Sequence, residues 1–600
     1  MPVRLILLAL LLPFRAWAQE GGISAAELAR APTPARVAFM VGRAAQLGWA
    51  GAVPGLHQAA VTAYEANTGT APAWYHLYRW AALLGQPESK AIPEWIKAID
   101  QARLGHPNMA ASYTPKPGSL AAYWSQDLQA FALGSPQFSE EFFLTLNPAD
   151  NPMNVLSILQ QLYAADPARF AAYQNLAIAL AVVYDVPPPP GWPHGQVSAQ
   201  ALPRQMMNPL EAFNYWTKAD RENRTLHKLK WLGAGELKFV VDTGALSNEM
   251  DWAQQNITQP LADFAKVYDL VRYRKDRLQA SQFMWPKASY QLPLILQDGG
   301  ICVDQAYFAS MAGKARGIPT LLFRGAGLDG RHAWFGYLDA QQRWQLDCGR
   351  YAEQKYVVGL AFDPQTWGNI NDHELLFLSE RFRALPTYKL SVTHALFAAE
   401  YLRSGRPDLA LKAAREAVNR ERRNLAAWQV LLQAQQALAP GDLRAREGLL
   451  HEAVQAFQKY PDLEKEFSRL LVATLRARGE TSVAGVEEQR LARKYQTGRV
   501  DIGIEQAAEV MERSMHQDDL VTQLKVFDRE LSTARPDAAI DFHDKVVVPF
   551  VRHLQQIGQV PAALQVLERT RRTLRVEPGM QLDKEITSLA ASLKAGKSQK

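Results

Sequence analysis

The stretch that decides the fold of this chain is GGICVDQAYFASMA, residues 299–312. Its glycine pair closes a loop, and the alanine-rich run behind it predicts an amphipathic helix with Cys302 in the first turn. A thiol in that place lies against the positive end of the helix dipole, which lowers its pKa and favours the reactive thiolate. The stretch therefore predicts a nucleophilic cysteine at the start of a helix that packs on a sheet.

Two strands are predicted downstream, over residues 330–338 and 343–348, joined by a polar turn at 339–342. If the turn is centred on the middle of that tetrapeptide, His332 and Asp347 lie on one face as diagonal neighbours, within reach of each other. A loop with an odd number of residues would place them on opposite faces. The spacing thus makes a testable prediction about the hairpin.

These side chains form the set that thiol chemistry needs. His332 takes the proton from Cys302 or holds it as an ion pair, and Asp347 orients the imidazole. The other cysteine, Cys348, follows Asp347 directly, so period-two alternation turns it to the opposite face. A disulfide is the default for two cysteines in an exported protein. The alternation predicts instead that Cys302 and Cys348 are both free thiols.

The segments GGICVDQA, GRHAW and WQLD, in that order and at those separations, resemble the transglutaminase-like superfamily. This superfamily includes transglutaminases, peptide N-glycanases and many bacterial proteins of unassigned substrate. The resemblance covers roughly residues 235–360 and implies a papain-like α+β core with Cys302, His332 and Asp347 as the catalytic triad. Its motifs are specific for the fold and the triad but say little about the substrate.

No motif marks the donors that would stabilise an oxyanion. The backbone N–H of Cys302 is the natural first donor. Gln297, just upstream, and Trp285 are the candidates for the second donor, with a surface or core role as the alternative for each. The histidines in helical stretches, such as His76 and His394, lack metal-ligand spacing. With no phosphate loop or dinucleotide fingerprint either, the sequence predicts neither a metal nor a cofactor.

The composition is that of an ordinary globular protein. Six hundred residues exceed what one hydrophobic core can serve, so several domains are expected. With 48% hydrophobic and 21% charged residues, wholesale disorder is not expected. The net charge of +6 is small for this length, and no stretch concentrates basic residues with interleaved aromatics. Nucleic acid is therefore not an expected partner.

The N-terminus, residues 1–18, is typical of a signal peptide. Arg4 precedes an apolar run over residues 5–12, and Ala16 and Ala18 are small residues at the positions that a signal peptidase requires. A membrane anchor is the alternative, but the run is shorter than the ~20 residues that a bilayer needs. We expect export to the periplasm or the extracellular space and no transmembrane segment further along.

The expected architecture is mainly α and multidomain, with a central papain-like α+β domain flanked by helical-repeat regions. Residues 19–186 are predicted to be helical, either as helix-turn-helix repeats or as unrelated hairpins. The proline run within 187–234 indicates a linker. The predicted catalytic domain spans 235–385, in which LKFVV at 237–241 predicts a short strand. Tetratricopeptide-like repeats are predicted over 390–600.

The repeat prediction comes from spacing. Large and small residues recur where two antiparallel helices would meet around a glycine turn, at Phe397, Ala398, Tyr401, Gly405, Ala410, Ala414, Ala417 and Trp428, and again at Phe550, Val551, Leu554, Gly558, Ala563 and Leu567. The stretch between these two matches keeps no strict register. The repeats would serve either as a protein-binding surface or as a packing scaffold.

The function that the residues favour is acyl chemistry on exported protein or peptide amides, with cell-wall peptides as one class of substrate. Hydrolysis is the default because water needs no dedicated site, whereas amine transfer needs a second apolar tunnel. The candidate aromatics for its walls, with an ordinary core role as the alternative, are Trp285, Trp334 and Trp344. The alternative function is a non-catalytic scaffold whose papain-like domain and repeats bind other proteins.

Overall fold

The computed structural model shows a mainly helical chain with one small five-stranded antiparallel sheet. The residues that the structure describes are 23–66, 69–103, 113–327, 330–350, 358–495 and 498–595. The predicted signal peptide lies outside them. The chain divides into two compact units, the first of residues 1–322, 335–346 and 362–369, and the second of residues 323–334, 347–361 and 370–600.

The first unit contains sixteen helices in its described residues. They are α1 (Ala25–Leu28), α2 (Pro34–Leu47), α3 (Val53–Ala66), α4 (Ala71–Leu84), α5 (Glu88–Ala102), α6 (Gln126–Gly134), α7 (Pro136–Thr145), α8 (Pro152–Ala165), α9 (Pro167–Ala172), α10 (Gln174–Val183), α11 (Pro209–Arg221), α12 (Ala234–Val241), α13 (Ser247–Asn256), α14 (Lys275–Gln279), α15 (Leu292–Asp298) and α16 (Cys302–Ala315). A 3₁₀ segment, Leu261–Leu270, follows Pro260.

Several of these helices share one start signal. A Ser, Thr, Asn or Asp side chain accepts a hydrogen bond from the first turn, and a proline occupies the first helical position. The capping residues are Thr33, Ser135, Asn151, Asp166 and Asn208. The cap satisfies a backbone N–H that has no partner within the helix, and the proline has no N–H to satisfy. These dipeptides therefore set where the helices begin.

The N-terminal helices enclose an aromatic core of their own. Trp80 on α4 is fully buried and its ring lies 4.7 Å from that of Phe142 and 5.1 Å from that of Trp124. Its indole N–H donates to the Ser139 hydroxyl at 2.9 Å. The buried polar atom is thus satisfied within the cluster, as the burial of tryptophan requires.

The proline run is free of helix and strand, as predicted, since α10 ends at Val183 and α11 begins at Pro209. The segment is nevertheless packed inside the first unit. Trp192 is 3% exposed, and its ring lies 5.4 Å from that of Trp367. The segment predicted as a linker thus contributes to a packed core.

The strand predicted at residues 237–241 is wrong, because this run forms the second half of α12. Glu236 accepts a hydrogen bond from the backbone N–H of Gly233 at 3.0 Å and closes the first turn of a helix. Most of the run is buried. A short run of apolar residues has no periodicity that separates a buried helix from a buried strand.

Two aspartates of the first unit are buried, and no ion pair among the described residues includes either of them. Asp150 accepts hydrogen bonds from the Asn147 N–H at 2.7 Å and from Gln365 at 2.9 Å, and Asp185 accepts one from the Asn151 N–H. The Oδ1 atoms of both aspartates have no partner among the described residues. Burial raises the pKa of Asp150 to about 8, and burial together with the charge of Asp150 raises the pKa of Asp185.

Asp150→Asn is expected to stabilise the protein at pH 8 more than at pH 5. A carboxyl group whose pKa is higher in the folded than in the unfolded protein contributes fully to folding stability below its unfolded pKa of ~3.9. This contribution to the free energy of unfolding is lost as pH rises towards the pKa of the folded state. Because the amide of the variant does not ionise, it avoids this loss of unfolding free energy, which amounts to up to ~1.4 kcal/mol per pH unit. Urea unfolding at both pH values measures the difference, with exposed Asp100→Asn as control. An equal effect at both pH values would contradict the buried-acid interpretation.

The sheet has the strand order β3-β2-β1-β4-β5. Its strands are β1 (Thr320–Ala326), β2 (Arg331–Leu338), β3 (Trp344–Cys348), β4 (Leu360–Phe362) and β5 (Asn369–Asn371). β1 and β4 are antiparallel, with Arg324 opposite Leu360. The helix and the two predicted strands, which are β2 and β3, follow the predicted order. β1, β4 and β5 were not predicted; β4 and β5 have three residues each, which is too few to leave a pattern in a sequence.

Helix α16 is buried from Val303 to Ala315. A Cβ on Gly313 would lie 2.5 Å from the side chain of Thr320, so only glycine allows this approach of helix and strand. The buried ammonium of Lys314 is paired with Asp242 and donates to the carbonyls of Phe239 and Thr320 at 2.7 and 2.8 Å. Close packing thus fixes the end of α16 opposite to Cys302.

The described helices of the second unit follow the sheet. They are α17 (Asp372–Leu378), α18 (Pro386–Arg403), α19 (Pro407–Arg420), α20 (Leu425–Leu438), α21 (Leu443–Ala456), α22 (Pro461–Ala477), α23 (Thr481–Tyr495), α24 (Val500–Gln517), α25 (Leu520–Thr533), α26 (Ala539–Phe542), α27 (Val548–Gln556), α28 (Val560–Thr573) and α29 (Gln581–Ala595). In the described part of the chain, no helix combines the length and apolar character that a membrane crossing needs.

The helical hairpins predicted from spacing are confirmed. Gly405 turns between α18 and α19 with φ +69°, and Gly558 turns between α27 and α28 with φ +77°. The predicted small residues, such as Ala410, Ala417 and Ala563, are fully buried. Small side chains let the paired helices approach closely, which explains the pattern.

Candidate active site

Cys302 is the first residue of α16, as the sequence predicts, and is half-buried. The helix is capped by a side chain from its own first turn, since the Asp304 carboxylate accepts a hydrogen bond from the Ile301 N–H at 2.8 Å. The first backbone N–H groups of a helix have no partner within the helix. Their partial positive charge favours an anion at this end, including a thiolate.

The two glycines before Cys302 are required by close backbone contacts. Gly299 has φ +76°, and a Cβ there would lie 2.4 Å from the Arg272 carbonyl oxygen. A Cβ on Gly300 would lie 2.3 Å from the Cβ of Asp304. Gly300 also donates to the Arg272 carbonyl at 3.0 Å and accepts from the Arg274 N–H at 2.8 Å. Any larger residue would displace the loop that precedes the thiol.

A buried ion pair holds this end of the helix. The Arg277 guanidinium donates to Asp304 at 2.8 Å, and both side chains are at most 2% exposed. Arg277 also donates to the Met284 carbonyl at 3.1 Å, which ties the loop after α14 to the helix. Burial raises the pKa of Asp304, while its hydrogen bonds oppose that rise. Neither partner can be removed without leaving a buried charge unpaired.

A relay of hydrogen bonds completes the surroundings of Asp304. The Tyr290 hydroxyl donates to Asp304 at 2.7 Å and lies 3.1 Å from His194 Nε2. His194 Nδ1 accepts the Gln196 N–H at 3.2 Å, so the proton of this imidazole belongs on Nε2, where it points to the tyrosine oxygen. Asp304 lies within residues 299–312, but its partners Arg277 and Tyr290 lie 27 and 14 residues away, and no motif marks them.

His332 lies near the start of β2 and is buried. Its Nε2 is 2.6 Å from the Gly349 carbonyl oxygen. A carbonyl only accepts, so Nε2 carries the proton and, in the neutral ring, Nδ1 carries the lone pair. Burial lowers the pKa of His332, and the bond to Gly349 partly offsets this. A neutral imidazole in this tautomer is equipped to act as a base through Nδ1.

The predicted even-length turn between β2 and β3 is wrong, because the loop has three residues. Asp339 donates its N–H to the Arg343 carbonyl and accepts from the Gln342 N–H, both at 2.9 Å, and Gln342 has φ +56°. The Asp339 carboxylate stabilises this loop by accepting the N–H groups of Gln341 at 2.8 Å and Arg343 at 2.9 Å. The register therefore shifts by one residue from the predicted pairing.

The shift changes the surroundings of Asp347. Alternation counted from Arg343 places it on the face opposite to His332 and not beside it as predicted. The Asp347 side chain is 72% exposed and accepts from Arg350 at 2.8 Å. The place at Nε2 of His332 is taken by the Gly349 carbonyl.

Arg350 connects Asp347 to the surroundings of His332. Its guanidinium lies 5.0 Å from the centre of the Trp334 ring and donates to the buried Asp372 at 3.2 Å. The Trp334 ring in turn stacks on the His332 imidazole with centroids 6.0 Å apart. The cation thus lies between the Asp347 carboxylate and the aromatic ring next to the imidazole.

Both cysteines are free thiols, as predicted. Cys348 was predicted to point away from His332, and this is wrong. The observed register places the Cys348 side chain on the same face of the hairpin as His332. Its thiol is half-buried, and burial followed by the charge of Asp347 raises its pKa to about 12. Cys348 is therefore a protonated, unreactive thiol at neutral pH.

The two candidates for the second oxyanion donor differ. Trp285 is 6% exposed and its indole N–H donates to the Ser289 carbonyl at 2.8 Å, so this donor is already used. Trp285 is therefore a core residue, the alternative to its role as an oxyanion donor. Gln297 is exposed at the end of α15, in the first unit with Cys302, and stays a prediction.

Among the described residues, one group has the spacing of a metal site: His543, Asp544 and Glu585 in the second unit. Both carboxylates bind the guanidinium of Arg331. A positive charge thus already occupies this place.

No family model matches this chain, and no curated protein matches it. A thiol at a helix start and a neutral, oriented imidazole are the parts of a nucleophile and its base.

Proposed function

We propose that the chain is a cysteine-dependent acyl-transfer enzyme that acts on amide bonds of proteins or peptides. The observation that carries the proposal is the placement of Cys302 as the first residue of α16, where the Asp304–Arg277 ion pair fixes the backbone. The resemblance to the transglutaminase-like superfamily supplies the assignment of His332 as base. The third residue that it implies, Asp347, lies on the other face of the hairpin, and the Gly349 carbonyl takes the orienting role at Nε2. Fixed geometry of this kind is what a nucleophile requires.

The proposed reaction has two steps. The Cys302 sulfur attacks the amide carbonyl, a C–S bond forms, the C–N bond breaks, and the amine leaves with a proton from His332. Water then attacks the thioester, a C–O bond forms and the C–S bond breaks, and the free acid and the thiol are released. The Cys302 N–H is the first oxyanion donor, and Gln297 is proposed as the second.

The state of His332 supports its role. Burial favours the neutral ring, and the Gly349 carbonyl fixes the proton on Nε2. The lone pair on Nδ1 can then receive the thiol proton without prior loss of a proton to solvent. The same carbonyl stabilises the imidazolium that this transfer produces, since Nε2–H remains its donor.

Asp347→Ala is expected to lower kcat/KM by less than about 10-fold, because the carboxylate is 72% exposed and lies on the face opposite to His332. The Gly349 carbonyl still holds the imidazole in this variant, while the carboxylate near Arg350 is lost. Steady-state kinetics on a peptide amide measures the effect. Exposed Asp408→Ala, on a distant helix, is the control. A loss of about 10³-fold or more would show that Asp347 acts as the third residue of the triad.

Hydrolysis is proposed over amine transfer. The aromatic residues considered for the walls of an amine tunnel, Trp285, Trp334 and Trp344, are at most 7% exposed. Trp334 lies against the backbone of β1 and β4 at Gly325 and Gly359. Their core role leaves water as the acceptor that needs no dedicated site.

A competition between water and an amine tests the proposal. The protein is incubated with a glutamine-containing peptide, an excess of a fluorescent primary amine and, separately, cell-wall peptides, with iodoacetamide-treated protein as control. We expect release of ammonia or a cleaved peptide, without incorporation of label. Label incorporated only by untreated protein would overturn hydrolysis while retaining the thioester. Absence of any product from all these substrates would count against the enzyme itself.

A further inference from the structure

The first residue of β2, Arg331, is held by the last helices of the chain. Its guanidinium binds both carboxylate oxygens of Asp544, at 2.7 and 2.8 Å, and also binds Glu585. Its backbone N–H donates to Gln581 Oε1 at 3.1 Å. Gln581 in turn donates to Glu585 at 3.0 Å. Both the backbone and the side chain of Arg331 are thus bonded to the C-terminal helices. All of these residues belong to the second unit.

The helical partner of Arg331 has an unusual local structure. Asp544 lies in a π-helical turn, His543–Val547, between α26 and α27. Such turns are rare, occur mostly as single turns within α-helices, and are frequent at functional sites. The buried His543 contacts the same carboxylate, with Nδ1 3.2 Å from Asp544 Oδ1. The carboxylate that binds Arg331 is therefore itself held in place.

His332 is the next residue of the strand. Alternation points the Arg331 side chain to one face and the imidazole to the other. The His332 Nε2–Gly349 bond of 2.6 Å allows little displacement of the ring. A strand end moves more readily than a strand centre unless contacts hold it. The contacts of Arg331 therefore set how firmly His332 is oriented.

We infer that Arg331 is a positioning residue, through which the C-terminal helices hold the start of β2 and keep His332 in its orientation. The inference rests on the proposed function, because the orientation of His332 has consequences only if it acts on Cys302. It also gives the C-terminal helices a role in catalysis that is separate from the binding of partners.

The test uses iodoacetamide, whose rate of reaction with Cys302 reports on the base. Peptide mass spectrometry follows Cys302 in the full chain from pH 5 to pH 9, with the slow Cys348 as internal reference. In Arg331→Met the rate at pH 6 is expected to fall about 10-fold and the apparent pKa of the Cys302 thiol to rise by about one unit. Arg331→Lys is expected to restore part of the rate, since it keeps the charge but lacks the two separate nitrogens that bind Asp544 and Glu585.

A matched pair on two other C-terminal helices, α25 and α28, serves as control. One guanidinium nitrogen of Arg569 donates to both carboxylate oxygens of Asp528, at 2.8 and 2.6 Å, as one nitrogen of Arg331 does to Asp544, and the side chains of the two pairs are exposed to a similar degree. Arg569→Met should keep the wild-type profile. An equal fall of the Cys302 alkylation rate in both variants would show a general destabilisation of the C-terminal helices and would overturn the inference. Should Arg331→Met fail to fold, the combined Asp544→Asn and Glu585→Gln variant takes its place with the same expected shift.

His332→Ala separates the two possible failures. If it keeps the wild-type profile, His332 does not act on Cys302 and the proposed function fails. If His332→Ala alters the profile but Arg331→Met does not, the proposed function stands and the positioning role of Arg331 is wrong.

Discussion

Arg277→Met is expected to lower the free energy of unfolding by about 3–5 kcal/mol at pH 7, because it leaves the buried Asp304 carboxylate without its cation. Both side chains are at most 2% exposed, so water cannot replace the guanidinium. The carboxylate keeps only neutral donors, the Ile301 N–H and the Tyr290 hydroxyl. Urea denaturation followed by circular dichroism measures the loss.

The loss should depend on pH in a defined direction. Burial already raises the pKa of Asp304, and removal of Arg277 raises it further. A raised folded pKa means that stability is present at low pH and lost as pH rises through that pKa. Arg277→Met should therefore destabilise less at pH 5 than at pH 7.

An exposed ion pair is the control for this substitution. Lys266 pairs with Asp263, with side chains 72% and 49% exposed, so Lys266→Met should change stability by less than ~1 kcal/mol. If Arg277→Met were equally mild, the ion pair would not be what holds the start of α16. The Cys302 backbone would then owe its position to the glycine loop alone.

The fold was predictable where the sequence carries a local signal. Cys302 begins a helix because the glycine pair ends a loop and Asp304 caps the first turn, and both features lie within six residues. The hairpin around Gly405 was equally readable, since small residues and a turn glycine recur at repeat spacing. Signals of this kind depend on neighbours in sequence and do not require knowledge of tertiary contacts.

The errors come from features whose signal is ambiguous or distant. The run at 237–241 is apolar without a period, and tertiary burial made it a helix. The turn at Asp339 has three residues instead of an even number because a carboxylate bridges it, and that moved Asp347 away from His332. A pairing register depends on one residue of loop length, which composition does not specify.

The reacting residues of the candidate site could be predicted from the sequence, but the hydrogen bonds that hold them in place could not. The cysteine and histidine stand out by motif, whereas Asp304 is reached by Arg277 from α14 and by Tyr290 from the loop before α15, 27 and 14 residues away. The Gly349 carbonyl that holds His332 is main chain, so no residue type reveals it. A buried ion pair such as Arg277–Asp304 is recognisable only once the fold brings its two side chains together.

Removal of either reacting group is expected to lower kcat by at least about 10³-fold. Cys302→Ala leaves no nucleophile, and His332→Ala leaves the thiol without a base to receive its proton. The two losses should not add in the double variant, because the residues act as one unit. Hydrolysis of a peptide amide under saturating substrate measures kcat, and unchanged thermal unfolding confirms that the variants fold.

Cys348→Ala is the matched control, since its thiol has a pKa of about 12 and no proposed part in the reaction, and it should retain wild-type kcat. A second check comes from pH. In the wild type the low pKa of His332 keeps the base neutral, so kcat/KM should stay level down to below pH 6.5 and then fall as the imidazole gains a proton. A chain that binds peptides equally well with Cys302, His332 or both replaced, and turns over none of them, would be a binding scaffold. That result would replace the enzyme by the interaction protein that the helical repeats alone suggest.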